Sequence, residues 1–135
     1  MSCVLRAGGA AFDAHAFLRG SGLAADVTFR RGEPKVPGHP DGPRRSISGF
    51  NVGVSESGID DLAGQVRDAI AFLDRHEGDL RRLADCPDVE HVSLDFAIRR
   101  RGVAGQTDTF PAALLRRAGG LGIDLVVTHC EVLEE

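Results

Sequence analysis

Two arginine pairs, Arg30-Arg31 and Arg44-Arg45, flank a proline- and glycine-rich stretch, and they are the residues of this chain best suited to holding a ligand. Guanidinium forks match phosphate and carboxylate oxygens in two-point fashion. With Gly32 and Glu33, which complete the run Arg31-Gly32-Glu33, these arginines form the candidate binding set: Arg30, Arg31, Gly32, Glu33, Arg44 and Arg45. Further runs stand at Arg81-Arg82, Arg99 to Arg101 and Arg116-Arg117, and Lys35 is the lone lysine. A solvated surface with an arginine bias is written in the same letters. Asp26, Asp95 and Asp124 sit on candidate strands beside arginines, where carboxylates gathered on one sheet face would make a polar-ligand site.

Catalytic patterns are fragmentary. Gly53-Val54-Ser55-Glu56-Ser57 begins like a nucleophile elbow but lacks the second glycine and precedes a helix without a partner histidine. Gly20-Ser21-Gly22 follows a helix rather than a strand, the wrong context for a dinucleotide. His15, His39, His76, His91 and His129 show no i,i+4 pair that would hold a metal. His129 and Cys130 are adjacent in an extended segment and point to opposite faces, so Cys130 reads as a small core hydrophobe rather than a nucleophile. Cys3, Cys86 and Cys130 are odd in number and widely spaced, which yields neither a zinc site nor a disulfide framework. The expectation is no catalytic residue, no metal and no cofactor.

The elements that would position these residues follow from periodicity. Val92, Leu94, Phe96 and Ile98 alternate with polar neighbours, the pattern of a half-buried strand. Thr109-Phe110-Pro111 offers a capping hydroxyl and a first-turn proline to a helix carrying Leu114, Leu115 and Ala118, which Gly119, Gly120 and Gly122 stop. Ile123 to Val127 is nearly all apolar and predicts a strand more buried than most. This strand-helix-strand unit implies a right-handed crossover between parallel neighbours. The front of the chain echoes it at a constant offset of 98, with Phe12, Ala14, Arg19, Gly22, Leu23 and Asp26 matching Phe110, Ala112, Arg117, Gly120, Leu121 and Asp124. Duplication, or two helices that both end in glycine before a strand, accounts for the match.

The remaining elements are a first strand at Cys3 to Ala7, a helix at Phe12 to Gly20, and a second strand with Ala25, Val27 and Phe29 inward. A third strand carries Phe50, Val52 and Val54, with Gly49 and Gly53 marking a bulge or close backbone approach. A long helix with Ile59, Leu62, Val66, Ala69, Ile70 and Leu73 inward is opened by Ser57 and Asp60 in a capping-box arrangement and broken by Gly78. Leu80, Leu83 and Ala84 add a further turn or two. Between the second and third strands, Pro34, Pro37, Pro40 and Pro43 recur every three residues. That spacing suits one edge of a polyproline II ligand, and equally an exposed connection or hairpin arm.

At 135 residues, with 42% hydrophobic and 27% charged side chains, the chain suits one domain with a conventional core. A formal charge of −4, with no Trp or Tyr for base stacking, argues against nucleic acid as partner. No segment has the length and apolarity of a membrane span, and the unpaired cysteines suit the cytoplasm. Taken together these features predict a single α+β domain over residues 1–135, with an exposed loop at 31–46. The architecture expected is a two-layer sandwich, helices on one face of a largely antiparallel five-stranded sheet, with ferredoxin-like connectivity.

With its elements so ordered, the chain resembles the bacterial domain-of-unknown-function family 4279 over nearly its full length. The resemblance rests on Phe12-Asp13 at the first helix, Arg31-Gly32-Glu33, the Pro/Gly-rich gap, and Ser48-Gly49-Phe50. The long helix with trailing leucines and the closing run Leu121 to Asp124 complete it. It departs from the family at Phe50, where a tryptophan is expected, and at Thr128-His129-Cys130, where Asp-x-Tyr is usual. The resemblance implies no activity. The functional expectation is a non-catalytic binding or protein-interaction domain, of the kind that neutralises a partner as small immunity proteins do. The alternative is an anion or small-molecule sensor, or an enzyme, using strand carboxylates and Arg30, Arg31, Arg44 or Arg45.

Overall fold

The computed structural model describes residues 1–131. In chain order the elements are β1 (Cys3–Gly9), α1 (Ala14–Arg19), β2 (Val27–Phe29), β3 (Ser48–Ser55), α2 (Leu62–Arg75), α3 (Glu77–Ala84), β4 (His91–Arg99), α4 (Ala112–Gly120) and β5 (Asp124–Cys130). They form an α+β fold with one five-stranded sheet in the order β2-β3-β1-β4-β5. β1 pairs antiparallel with β3 and β4, β2 pairs antiparallel with β3, and β4 pairs parallel with β5. The sheet is therefore mixed rather than largely antiparallel. The cause is the α4 crossover, which returns the chain to the starting end of β4 and obliges β5 to run alongside it. At the front, β1 and β2 also run parallel, but β3 lies between them. The two segments related by the 98-residue offset thus share their helix, glycine turn and strand while entering the sheet differently.

One face of the sheet carries the core. Cys3, Leu5 and Ala7 of β1, Phe50 and Val52 of β3, and Val92, Leu94, Phe96 and Ile98 of β4 pool with Ala14, Val66, Ala69, Leu73, Leu80, Leu83, Leu114 and Ala118 from the four helices. Phe12, Phe17 and Phe50 meet with ring centroids 6.1 Å apart, and Phe96 meets Phe110 edge-on at 5.2 Å. Burying each such side chain contributes about 1.5–3 kcal/mol before entropy is charged against it. The fully buried polar side chain in this layer is Gln65, whose Nε2 donates to the carbonyls of Gly58 (3.2 Å) and Ala97 (2.9 Å) and ties α2 to β4.

Several local expectations are revised. β5 is the sheet's edge, with Val126 and Val127 40% and 36% exposed, and only Ile123 and Leu125 reach the core. Cys130 is correspondingly half-buried at the end of that edge, and Cys3 is the core cysteine. The apolar run from Ile123 marked strand propensity, not burial on both faces. Phe29 is buried on the sheet's outer face, not in the core: it packs over Gly49, whose close approach to the Ala7 carbonyl leaves no room for a side chain. α2 is capped by Asp61, which accepts from the Gly64 amide at 2.9 Å, rather than by Ser57. α4 begins after an extended Pro111 with no hydroxyl cap. The break after α2 falls at His76, and Gly78 lies inside α3, so the described residues form four helices.

Candidate functional site

The 31–46 segment is a narrow antiparallel arm that prolongs β2 and β3 into solvent. Backbone bonds from Gly32 to Arg45 (2.8 Å), Arg45 to Glu33 (2.7 Å) and Lys35 to Pro43 (2.9 Å) hold its two sides together. Turns at Val36–His39 and His39–Gly42 close its tip. Gly32 sits at φ +90°, a conformation that L side chains rarely adopt, which is why a glycine follows Arg31 at the arm's root. Cross-bonding of this kind is incompatible with a continuous polyproline II helix, and the three-residue proline spacing serves a folded-back hairpin instead.

The four candidate arginines divide by what they touch. Arg44 is spent inside the arm, donating to the carbonyls of Gly32 (2.8 Å) and Pro40 (3.1 Å). Arg45 lies 4.2 Å above the Phe29 ring. Its guanidinium roofs the one large aromatic on the sheet's outer face, an arrangement worth about 0.5–1 kcal/mol at an exposed site. Arg30 and Arg31 are exposed, and among the described residues neither forms an ion pair. Glu33 is exposed beside them. The Arg31 amide is held by Ser48 Oγ at 2.9 Å, which fixes the outward direction of the arm's base.

Arg30 reaches a groove that sequence alone did not bring together. With Arg19 and His15 of α1, Phe12 and Ser48 it lines a hollow of about 350 Å³. Asp13 borders the same hollow, but its carboxylate accepts the Ala16 amide at 3.0 Å and closes the start of α1. Two cations and an imidazole therefore line a concave surface without a carboxylate partner for either arginine among the described ion pairs. The missed residues are Arg19, His15 and Ser48. Sequence holds no pointer to them, because it is the register setting Phe29 against Gly49 on the outer face that turns Arg30 to the helix side, where α1 lies.

The carboxylates do not converge. Asp26 caps the Gly53 amide next to β2, whereas Asp95 on β4 pairs with Arg6 at 3.5 Å and accepts from Thr128 at 2.7 Å. β3 and β1 separate them, which at strand spacing is about 14 Å. Among the described residues no group of three or more metal-ligating side chains assembles. The Ser55 hydroxyl donates to Asp68 at 2.6 Å and accepts the Ser57 amide at 3.1 Å. A bulge at Val54 turns Ser55 to the helix side, so the apparent nucleophile pins β3 to α2. Cys3 lies beneath this end of the sheet, and burial, reinforced by Asp95 and Asp68, pushes its thiol up to about 12. A thiol held in that way is not a nucleophile.

No protein-family profile matches the chain, and no curated protein or solved structure does so either.

Proposed function

We infer that this is a non-catalytic protein-interaction domain that presents its arm to an acidic surface on a partner protein. The observation that carries the reading is charge segregation. Between residues 30 and 45 stand Arg30, Arg31, Lys35, Arg44 and Arg45 against Glu33 and Asp41, a net +3 in a chain of net −4. The remainder is thus at −7, and a basic projection on an acidic body steers an acidic partner to that projection and away from the rest. The two parallel pairs, β1 with β2 around β3 and β3 with β4 around β1, support a ferredoxin-like connectivity for the first four strands.

The test reverses only charges that the fold does not use. A chain carrying Arg30→Glu, Arg31→Glu and Lys35→Glu keeps Arg44 and Arg45 in place and retains the native far-ultraviolet spectrum. Affinity enrichment from the native cells is compared with that of the unaltered chain at low and high salt. The expected result is a cross-linkable acidic partner, lost on reversal and weakened by salt. Partners held equally by both chains overturn the reading.

The groove supports a second reading, capture of a small anion between Arg19 and Arg30. Inorganic phosphate at a hundred times its dissociation constant then raises stability by about 2.7 kcal/mol. An Arg19→Gln variant abolishes that gain, and a melting curve indifferent to phosphate removes this reading while leaving the first untouched.

A further inference from the structure

We propose that β5 is a self-pairing edge, at which a second copy of this chain adds its own β5 antiparallel about a two-fold axis through Val127. The two ends of the sheet are unlike. β2 has three residues and is prolonged by the basic arm, whereas β5 has seven, Asp124–Cys130, containing neither proline nor lysine. Charge, proline and brevity are how sheet edges ordinarily avoid pairing, and β5 uses none of them beyond Asp124 at its start.

The backbone specifies the register. The Cys130 carbonyl accepts from the Arg100 amide and so points inward to the β4 side. Alternation then turns the amides and carbonyls of Leu125, Val127 and His129 outward, and none of them has a backbone partner beyond β4 among the described residues. An axis at Val127 sets Val127 against its own copy in a hydrogen-bonded pair and Leu125 against His129. Each of the three residues then donates and accepts once. The same axis opposes Val126 to Thr128 and Asp124 to Cys130, so the strand's one formal charge never meets itself. An isologous contact needs that self-complementarity.

The flanking surface is apolar as well. Among the described residues the exposed large hydrophobic side chains are Met1, Val27, Val36, Val103, Leu115, Val126 and Val127. Val127, in register with Phe96, lies on the helix face of the sheet together with Leu115, whereas Val126, in register with Asp95, lies on the outer face of the same edge. Leu114 and Ala118 turn α4 onto the sheet, while Arg117 reaches Asp74 of α2 at 2.8 Å. Leu115 therefore occupies the flank of α4 turned away from α2, beside the outer edge of β5. Strand pairing alone falls short of the ~1,000 Å² that marks a stable interface, and the Leu115 flank packing about the same axis extends it.

Sedimentation equilibrium of the full chain at roughly 0.5 mM, well above micromolar dissociation constants, tests this. The expected species has twice the 14.3 kDa chain mass and is little affected by salt, because backbone bonds and valines hold it. Val127→Lys returns it to the chain mass, and Val27→Lys, at the opposite edge, does not. A wild-type chain that stays at the chain mass, a Val127→Lys chain that still pairs, or dissociation by Val27→Lys alone would each overturn the proposal. None of these outcomes bears on the acidic partner of the arm.

Discussion

Replacing Gln65 by glutamate exchanges one side chain for another of the same shape, and the structure fixes what the exchange costs. Gln65 is fully buried, its Nε2 donates to two carbonyls, and its Oε1 has no partner among the described residues. In Gln65→Glu both donors vanish, a loss of about 1 kcal/mol each. A protonated acid restores one of them, so at pH 4 the net cost is about 1 kcal/mol. When the group ionises, a carboxylate faces the Gly58 and Ala97 carbonyls with no cation against it, and the cost rises to about 3–5 kcal/mol. Burial raises the folded pKa of the new acid above its unfolded value of about 4.3. Relative stability is accordingly held below pH 4.3 and lost as pH climbs through the folded pKa. Urea unfolding of wild type and variant at pH 4 and pH 8 reads the difference directly. At roughly 4 °C per kcal/mol the melting temperature falls by about 4 °C at the lower pH and about 15 °C at the higher. Gln65→Leu, which removes the orphaned oxygen along with the donors, stays within about 1 kcal/mol of wild type and shows no pH dependence. An equal penalty for the glutamate at both pH values would refute the picture of an isolated, cation-free pocket around this side chain.

The raised Cys3 thiol makes a second prediction: in the native protein at pH 9 an alkylating reagent followed by mass spectrometry marks Cys86 and Cys130 and spares Cys3 until urea is added. Because the folded pKa of Cys3 lies above the unfolded 9.0, the associated stability is intact below pH 9 and lost between 9 and about 12, up to about 4 kcal/mol in all, a slope that Cys3→Ala lacks. A third concerns Gly49→Ala, which sets a methyl against the Ala7 carbonyl and the Phe29 ring and costs about 3 kcal/mol or more in chemical denaturation; a cost under about 1 kcal/mol would mean that β1 and β3 are not so tightly paired.

The β4-α4-β5 unit was legible because each of its cues is local. Alternation at Val92 to Ile98, glycines after Ala118 and a second apolar run are properties of consecutive residues, and a helical connection sets two strands parallel whether they are neighbours, as β4 and β5 are, or have a strand between them, as β1 and β2 do. Burial of β5 was not legible, since an apolar strand at an edge is spelled like one in the middle, and the distinction depends on whether another strand arrives beyond it. Phe29 shows the same limit. Its alternation with Thr28 is real, but which face is the core depends on register with β3, and pairing with Gly49 sends the ring outward.

The candidate site failed to read out for a related reason. Arg30, Arg31, Arg44 and Arg45 are equivalent as letters, yet two are consumed by the fold and two have no ion-pair partner among the described residues, and the difference is made by acceptors that sequence does not mark. Arg44 is taken by carbonyl oxygens, which every residue possesses, and only the hairpin geometry brings those of Gly32 and Pro40 within reach. Arg45 is taken by the ring of Phe29, a partner displaced from the core by the register of a three-residue strand. What remains at the base of the arm is Arg30 and Arg31, and with Arg19, which lines the same hollow as Arg30, they are cations that no ion pair among the described residues neutralises. Opposite charge brought from outside therefore gains most there, whereas the same charge offered to Arg44 or Arg45 would have to displace contacts that hold the arm in shape.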